Sequence, residues 1–253
     1  MRSRGDAATA ANAIVQNEAG FRELADRSEE TTGNQGDDGK VKHRFALVLV
    51  VLVLIPGAAS MFAQGPLPGD IAATLALQSV LGEAPAWAVS MTNMAKAPWL
   101  WASTAAALAI AGWAGGMLRA FSPLIAYALA WGADQLLRYL IFVPRPDAAW
   151  VSVASASSSS GLPSTFGLVF GALFGAAFWI AGGGARKKTA LALSLVLLTA
   201  GAAARIVLGG HWFSQMLPSF ALGILLAGLA VWLIEYAVRR FGMPTRAHPQ
   251  RSR

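Results

Sequence analysis

Two short motifs in the chain combine arginines with a histidine. One reads Arg138-x6-Arg145-Pro146 and the other reads Arg205-x5-His211, and each lies where a long apolar stretch meets a polar turn. Cationic side chains beside membrane segments are costly and usually serve a ligand or a counter-charge. Because a guanidinium presents a rigid fork of donors that matches phosphate oxygens, we expect all three arginines to bind a phosphate group at the bilayer surface.

The candidate nucleophile in these motifs is His211. Imidazole titrates near neutral pH and can attack phosphorus to give a phosphohistidine intermediate. A third motif, Pro163-Ser164-Thr165, precedes an apolar stretch. A serine hydroxyl and free backbone N–H groups at a helix N-terminus form an anion-binding end, so we expect Ser164 to bind phosphate and Thr165 to support it.

The elements that position these side chains follow from the composition. Hydrophobic residues make up 55% of the 253 residues, charged residues make up 13%, and the mean hydropathy is +0.51. This balance is typical of an integral membrane protein. Stretches of about 20 uncharged residues are long enough to cross a bilayer. The sequence therefore predicts an all-α membrane bundle of about six transmembrane helices, at residues 45–64, 98–118, 120–137, 162–182, 189–208 and 216–236.

The distribution of basic residues predicts the orientation of this bundle. Lys and Arg collect near the cytoplasmic ends of spans, and the basic clusters within 40–44, 186–188 and 239–240 all fall on one predicted side. Both termini are therefore expected in the cytoplasm, with the motifs on the outer face. We expect three regions: a disordered cytoplasmic leader, a membrane domain and a basic cytoplasmic tail, at residues 1–44, 45–240 and 241–253.

Composition also argues against several function classes. The net charge of +7 is explained by basic residues at cytoplasmic span ends and in the tail, so it does not indicate nucleic acid binding. The chain has no cysteine, which removes disulfides and thiolate chemistry from consideration. Of its three histidines, His43 and His248 lie in the cytoplasmic flanks. A multi-histidine metal site is therefore not expected, and no cofactor is indicated.

The order of these motifs resembles the type 2 phosphatidic acid phosphatase family, which consists of membrane lipid phosphatases with a haloperoxidase-related fold. The family pattern is Lys-x6-Arg-Pro, Pro-Ser-Gly-His and Ser-Arg-x5-His-x3-Asp. In this chain the three parts read Arg138-x6-Arg145-Pro146, Pro163-Ser164-Thr165-Phe166 and Ala204-Arg205-x5-His211-x3-Gln215. The resemblance covers about residues 45–240. It implies a nucleophile at His211 and phosphate binding by Arg138, Arg145, Ser164 and Arg205.

Two positions depart from the family pattern. Phe166 stands where the family has the histidine that protonates the leaving group, and Gln215 stands where it has the aspartate that orients the nucleophile. A glutamine carbonyl can still accept the imidazole N–H and hold one tautomer. Asp147, directly after the Arg-Pro pair, is a further candidate for supplying the proton.

The altered site favours a substrate with a good leaving group. A positioned general acid contributes about 10²–10⁴-fold to a rate. An alkoxide needs that proton, whereas a phosphate leaving from a diphosphate, with a second pKa of ~6, needs it much less. The resemblance therefore implies a membrane lipid phosphatase, and the altered site suits a polyprenyl diphosphate better than phosphatidic acid.

Two other functions stay open on the sequence alone. A catalytically impaired relative would keep the phosphate-binding residues to bind or move an anionic lipid without hydrolysis, and Phe166 and Gln215 are the reason to consider it. A transporter is less favoured, because no pair of Gly- or Pro-broken spans recurs in two halves. The expected partners are an anionic lipid and the membrane, and no protein partner is indicated. The expected location is a bacterial inner membrane, with the site facing the periplasm or the exterior.

Overall fold

The structure is a computed structural model that describes residues 39–180 and 184–242. By residue contacts the chain divides into two units, Met1–Phe45 and Ala46–Arg253, and the candidate site described below belongs to the second. The described ranges contain no strand. A short 3-10 helix, Arg119–Phe121, precedes α5. The α-helices are α1 Gly39–Ala63, α2 Asp70–Leu81, α3 Ala86–Asn93, α4 Trp99–Gly115, α5 Ser122–Leu140, α6 Thr165–Ile180, α7 Ala185–Val207 and α8 Phe213–Phe241.

Helices occupy all six predicted spans. By length and composition, α1, α7 and α8 are long and apolar enough to cross a membrane, which confirms the prediction of an all-α membrane protein. Helices α4 and α6 have 17 and 16 residues, and α5 carries Asp134 and Arg138. That these three helices cross the bilayer stays a prediction. The region 70–96, which the sequence leaves outside the spans, forms the short helices α2 and α3.

The predicted leader differs from the structure at its boundary. The sequence predicts disorder up to residue 44, whereas α1 already begins at Gly39. The residues before Phe45 include Lys and Arg, which are good helix formers, so the helix extends beyond the apolar run. The rest of the predicted leader, 1–38, and the predicted tail from residue 243 lie outside the described residues.

Helices α6 and α8 pack with their backbones in contact. Gly167, Gly171 and Gly175 recur every four residues along α6, and a methyl group at Gly171 would lie 2.7 Å from the carbonyl oxygen of Phe220 in α8. Gly223 of α8 fits against the backbone of α6 in the same way. Small residues allow membrane helices to approach this closely. The contact fixes the N-terminus of α6, where the serine motif lies, against the first turns of α8.

Helix α2 holds the turn between α7 and α8. Asp70 is 3% exposed and accepts hydrogen bonds from the backbone N–H and the hydroxyl of Ser214, at 3.0 and 2.6 Å. Its carboxylate therefore caps the N-terminus of α8 and complements the helix dipole. Gln78 donates to the carbonyl oxygen of Val207 at 2.9 Å. These contacts fix both ends of the turn that contains His211.

Candidate functional site

A cavity of about 630 Å³ brings together four of the eight site residues that the sequence predicts. Its walls come from α3 and the turn after it, the loop at 154–157, the start of α6, and the end of α7 with the following turn. Arg145, Thr165, Arg205 and His211 all line it. The structure therefore brings residues from all three motifs to one place.

His211 is buried, with 1% of its surface exposed. Its Nδ1 lies 2.8 Å from the backbone carbonyl oxygen of Gly161. Because a carbonyl oxygen only accepts, this contact places the proton on Nδ1 and leaves a lone pair on Nε2. Burial and the positive charges of Arg205 and Arg145 hold the pKa of His211 well below its ordinary value of 6.5, although the Gly161 carbonyl raises it. The imidazole is therefore neutral near pH 7, in the tautomer that a nucleophile needs.

Arg205 lines the cavity without a hydrogen-bond partner. Its Nε is buried and unpaired, and its guanidinium forms no hydrogen bond or ion pair within the described part of the chain. The guanidinium lies against Gly210, where a methyl group would be 2.8 Å from Nη2. A buried cation without a partner costs free energy unless an anion fills the space beside it. This environment favours an anionic ligand.

Arg145 is anchored on the same turn. Its Nη1 donates to the carbonyl oxygen of Gly210 at 3.1 Å, while its Nε and Nη2 donate to the carbonyl oxygen and the hydroxyl of Ser159, both at 2.9 Å. Burial and the neighbouring charge of Arg138 lower the pKa of Arg145 from its ordinary value. Gly210 thus holds one arginine through its carbonyl oxygen and makes room for Arg205 because it has no side chain.

Arg138 donates its hydrogen bonds to groups of the protein. Its Nε donates to the Asp134 carboxylate at 3.0 and 3.2 Å, and its Nη2 donates to the carbonyl oxygen of Pro163 at 3.0 Å and to the hydroxyl of Thr165. Asp134 is 4% exposed, so the two side chains form a largely buried ion pair one helical turn apart. Arg138 does not line the cavity. The sequence predicts that Arg138 binds phosphate. In the structure, Arg138 provides the counter-charge of Asp134.

Ser164 immediately precedes α6 and is fully buried. Its hydroxyl accepts from the backbone N–H of Gly167 at 3.3 Å, and its own N–H donates to the hydroxyl of Ser219 at 2.8 Å. These bonds cap α6 and attach it to α8, while the side chain stays outside the cavity lining. Thr165 does line the cavity, and its hydroxyl donates to Asp134 at 3.0 Å. Phosphate binding by Ser164 stays a prediction.

Gln215 does not orient His211 directly, and the sequence-based expectation is wrong on this point. Its Oε1 accepts from the backbone N–H of Trp212 at 3.2 Å, and its Nε2 donates to the carbonyl oxygen of Pro144 at 2.7 Å. The amide therefore joins the start of α8 to the Arg-Pro motif. It also packs against Gly161, where a methyl group would lie 2.6 Å from Oε1. Gln215 thus supports the histidine only through the glycine that holds it.

The positions of Phe166 and Asp147 do not supply a proton donor beside the histidine. Phe166 lines the cavity, but it is 5% exposed and its ring stacks on Phe170 with the centroids 4.3 Å apart. Asp147 is exposed, accepts from the N–H of Ala149 at 2.9 Å, and does not line the cavity. The expectation that Asp147 replaces the missing acid gains no support from its position.

Sequence reasoning missed several residues of the site. Gly161 holds His211 through a carbonyl oxygen, and such a contact leaves no mark in the sequence. Asp134 stands four residues before Arg138, which is the spacing of a helical ion pair, and this signal was available. Thr92 and Lys96 line the cavity from α3 and the turn after it, although neither belongs to a motif.

The chain is similar to known proteins in sequence pattern and in fold. Residues 119–239 match the model of the PAP2 superfamily. The fold is similar to the crystal structure of a transmembrane PAP2-type phosphatidylglycerolphosphate phosphatase from Bacillus subtilis, with a TM-score of 0.56 and 18% sequence identity. That similarity covers 78% of this chain and 98% of the Bacillus chain. The sequence has no significant match among curated proteins.

Proposed function

From the match of residues 119–239 to the PAP2 superfamily model, we propose that the protein removes phosphate from a lipid phosphate or a polyprenyl diphosphate. The family match and the shared membrane fold support a lipid phosphatase at the level of the family. The Bacillus subtilis protein of this fold is named for its action on a lipid phosphate, which is the same class of substrate.

The observation that carries the proposal is the unpaired guanidinium of Arg205 in the same cavity as a neutral histidine. The cation lacks a counter-charge within the described chain, and His211 has a free lone pair on Nε2. A phosphate group would satisfy both, because its oxygens accept from the guanidinium while its phosphorus faces the nucleophile. Arg145 would supply a second cation to the same group.

The proposed reaction has two steps. In the first, the Nε2 lone pair of His211 forms a bond to phosphorus, the phosphorus–oxygen bond to the leaving group breaks, and its electron pair stays on the departing oxygen. The imidazole then carries a positive charge that the Gly161 carbonyl stabilises through Nδ1–H. In the second step, water attacks phosphorus, the electron pair of the phosphorus–nitrogen bond returns to Nε2, and the proton of the water leaves with inorganic phosphate.

The leaving group decides which substrate suits this site. Phe166 cannot protonate an alkoxide, and a missing general acid costs about 10²–10⁴-fold. A phosphate leaving from a diphosphate needs much less help, since its second pKa is ~6. We therefore propose that a polyprenyl diphosphate is a better substrate than phosphatidic acid.

A second function is favoured by one specific observation. The Phe166 ring stacks on Phe170 and would collide with any side chain at Gly201, so the position of the family histidine has become part of an apolar cluster. A protein of this kind could bind or move an anionic lipid without cleaving it. The preserved tautomer of His211 argues for hydrolysis.

Orientation and location follow as part of the proposal. The chain is an integral membrane protein, with three helices long and apolar enough to span a bilayer. The basic clusters near the span ends favour cytoplasmic termini and a site on the opposite face. We place the protein in a bacterial inner membrane with the cavity facing the periplasm or the exterior. Accessibility labelling in intact cells at His43 and at Trp150, each changed to cysteine in this cysteine-free chain, would test this orientation.

Phosphate release by detergent-purified protein tests the function itself. The substrates are a polyprenyl diphosphate and phosphatidic acid, without added metal. We expect release from both, with faster release from the diphosphate, and we expect His211→Ala to lower it by at least about 10⁴-fold, because the nucleophile is lost. The matched control is His43→Ala, which removes an exposed histidine outside the cavity.

The outcomes separate the two candidate functions. Equal or faster turnover of phosphatidic acid would contradict the leaving-group preference and leave the phosphatase intact. No release from either lipid by folded protein that still binds one of them would favour the non-hydrolytic function.

A further inference from the structure

One wall of the cavity carries polar groups that the proposed reaction does not use. Helix α3 contributes Thr92 and Asn93, and the turn after it contributes Lys96. Lys96 is exposed and also lines the cavity, so the cavity wall is open to solvent at this residue. The exposed Trp99 follows three residues later, and tryptophan is enriched at the level of the lipid headgroups. A lipid headgroup entering the cavity would therefore pass this wall.

Two buried polar atoms on the cavity residues lack partners within the described chain. One is the Nε of Arg205, and the other is the hydroxyl oxygen of Thr92, a residue that is 7% exposed. Buried polar groups are normally hydrogen-bonded, and each exception calls for an explanation. Here the two exceptions lie on different elements around one cavity, since Arg205 belongs to α7 and Thr92 to α3. Both atoms have almost no accessible surface, so an anion in the cavity would meet Arg205 through the outer nitrogens of its guanidinium.

The charge of the cavity exceeds what a single phosphate group balances. Arg138 is paired with Asp134 and stays outside the lining, so the lining cations are Arg145, Arg205 and Lys96. No carboxylate lines the cavity. A phosphate monoester carries a charge of about −1.5 to −2 near pH 7. A diphosphate ester has one more ionised oxygen and is therefore more negative. Three cations therefore match a diphosphate better than a monophosphate.

The size of the cavity also favours a diphosphate over a monophosphate. A phosphate group has five heavy atoms, and five water molecules in the liquid occupy about 150 Å³ at ~30 Å³ each. The cavity measures about 630 Å³. It therefore holds a phosphate at the arginines and has room for a second group of the same size beside α3.

We propose that Lys96, with Asn93, forms a second anion subsite that holds the non-transferred phosphate of a lipid diphosphate. This inference rests on the proposed function and names the group that selects its substrate. When His211 attacks the terminal phosphorus, the bridging phosphorus–oxygen bond breaks and its electron pair stays on the lipid phosphate. That new negative charge develops next to Lys96. The cation thereby stabilises a leaving group that Phe166 cannot protonate.

A charge-neutral variant, Lys96→Gln, tests the subsite in turnover. We expect kcat/KM for a polyprenyl diphosphate to fall about tenfold or more, which is the size of a lost hydrogen bond to a charged group. For phosphatidic acid, which has one phosphate, we expect a much smaller fall, so the ratio of the two substrates changes. The matched control is Lys188→Gln, an exposed lysine in the first turn of α7, roughly 25 Å along that helix from Arg205. Equal losses for both substrates, or no loss for either, would overturn the subsite.

A binding measurement separates this inference from the proposed function. Inorganic pyrophosphate and inorganic phosphate are titrated against the full-length protein in detergent by calorimetry, where hydrolysis of a lipid is not required. We expect wild type to bind pyrophosphate more tightly than phosphate. We expect Lys96→Gln to lower the ratio of the phosphate dissociation constant to the pyrophosphate dissociation constant at least tenfold. An unchanged difference in Lys96→Gln refutes the subsite even if the enzyme is active. A reduced difference supports it even if the protein proves not to hydrolyse lipids.

Discussion

Arg138 and Arg205 come from the two arginine motifs, yet their environments are opposite. Arg138 donates to a carboxylate, a hydroxyl and backbone carbonyl oxygens, and it stays outside the cavity lining. Arg205 lines the cavity, and its guanidinium has no partner in the described part of the chain. A match to a motif therefore does not decide whether an arginine binds substrate. We propose that the number of hydrogen-bond donors that the protein leaves unpaired decides it.

Removing Arg205 should affect activity far more than stability. We expect Arg205→Met to lower kcat/KM by about 10²–10³-fold, the cost of losing one preorganised donor for transition-state charge. The melting temperature should stay the same or rise, because the substitution removes a partly buried cation that has no partner in the described part of the chain. Phosphate release and a thermal melt measure the two effects.

The control for this change is Arg186→Met, which removes an exposed arginine from the other end of α7. Vanadate binding adds a second readout, since it reports on the anion site without turnover. If the melting temperature of Arg205→Met fell as much as we expect for Arg138→Met, Arg205 would be structural. The contrast between the two arginines would then disappear.

Removing Arg138 should show the reverse. We expect Arg138→Met to destabilise the protein by about 3 kcal/mol, because it leaves the buried carboxylate of Asp134 without its counter-charge. The double variant with Asp134→Asn should recover part of that loss, since the uncompensated charge is gone. Denaturation of both variants measures the coupling. A large loss of activity with unchanged stability in Arg138→Met would identify it as a phosphate ligand after all.

Arg145 lies between the two cases, since it lines the cavity and also donates to Ser159 and Gly210. We expect Arg145→Gln to lower activity about tenfold and stability by about 1–2 kcal/mol, as for lost hydrogen bonds of a charged group. The substitution Arg145→Gln also removes a positive charge that lowers the pKa of His211. That pKa therefore rises, and the histidine becomes protonated at a higher pH.

The pH dependence of kcat/KM measures this last effect. In wild type we expect no loss of activity attributable to His211 around pH 6.5, because the pKa is well below that value. In Arg145→Gln the acidic limb should move to higher pH, whereas Arg186→Gln, which removes a distant charge, should leave it in place. An acidic limb at the same pH in all three proteins would contradict the electrostatic origin of the shift.

Side-chain chemistry and apolar length were predictable from the sequence. The helices lie where uncharged stretches of spanning length occur, and Arg145, Arg205 and His211 meet as the motif order indicates. Both features depend on residue type at a given position, which a sequence states directly.

The hydrogen-bond partners were not predictable in the same way. His211 is held by the carbonyl oxygen of a residue 50 positions away, and any residue type has that oxygen. Gln215 was expected to take this role from its position in the motif, but its amide is used by the backbone of Trp212 and Pro144. Only the pairing of Asp134 with Arg138 could have been inferred, from its spacing of four residues.

The glycine-lined contact between α6 and α8 has a consequence for how the protein can be handled. Backbones that touch leave no room for an acyl chain or a detergent molecule between them, so the two helices should stay together when a micelle replaces the bilayer. Helix α6 carries Thr165 and α8 begins at Phe213, two residues after His211. We therefore expect the junction of the two helices beside His211 to keep its geometry after extraction, so that kinetics measured in detergent reflect this side of the site.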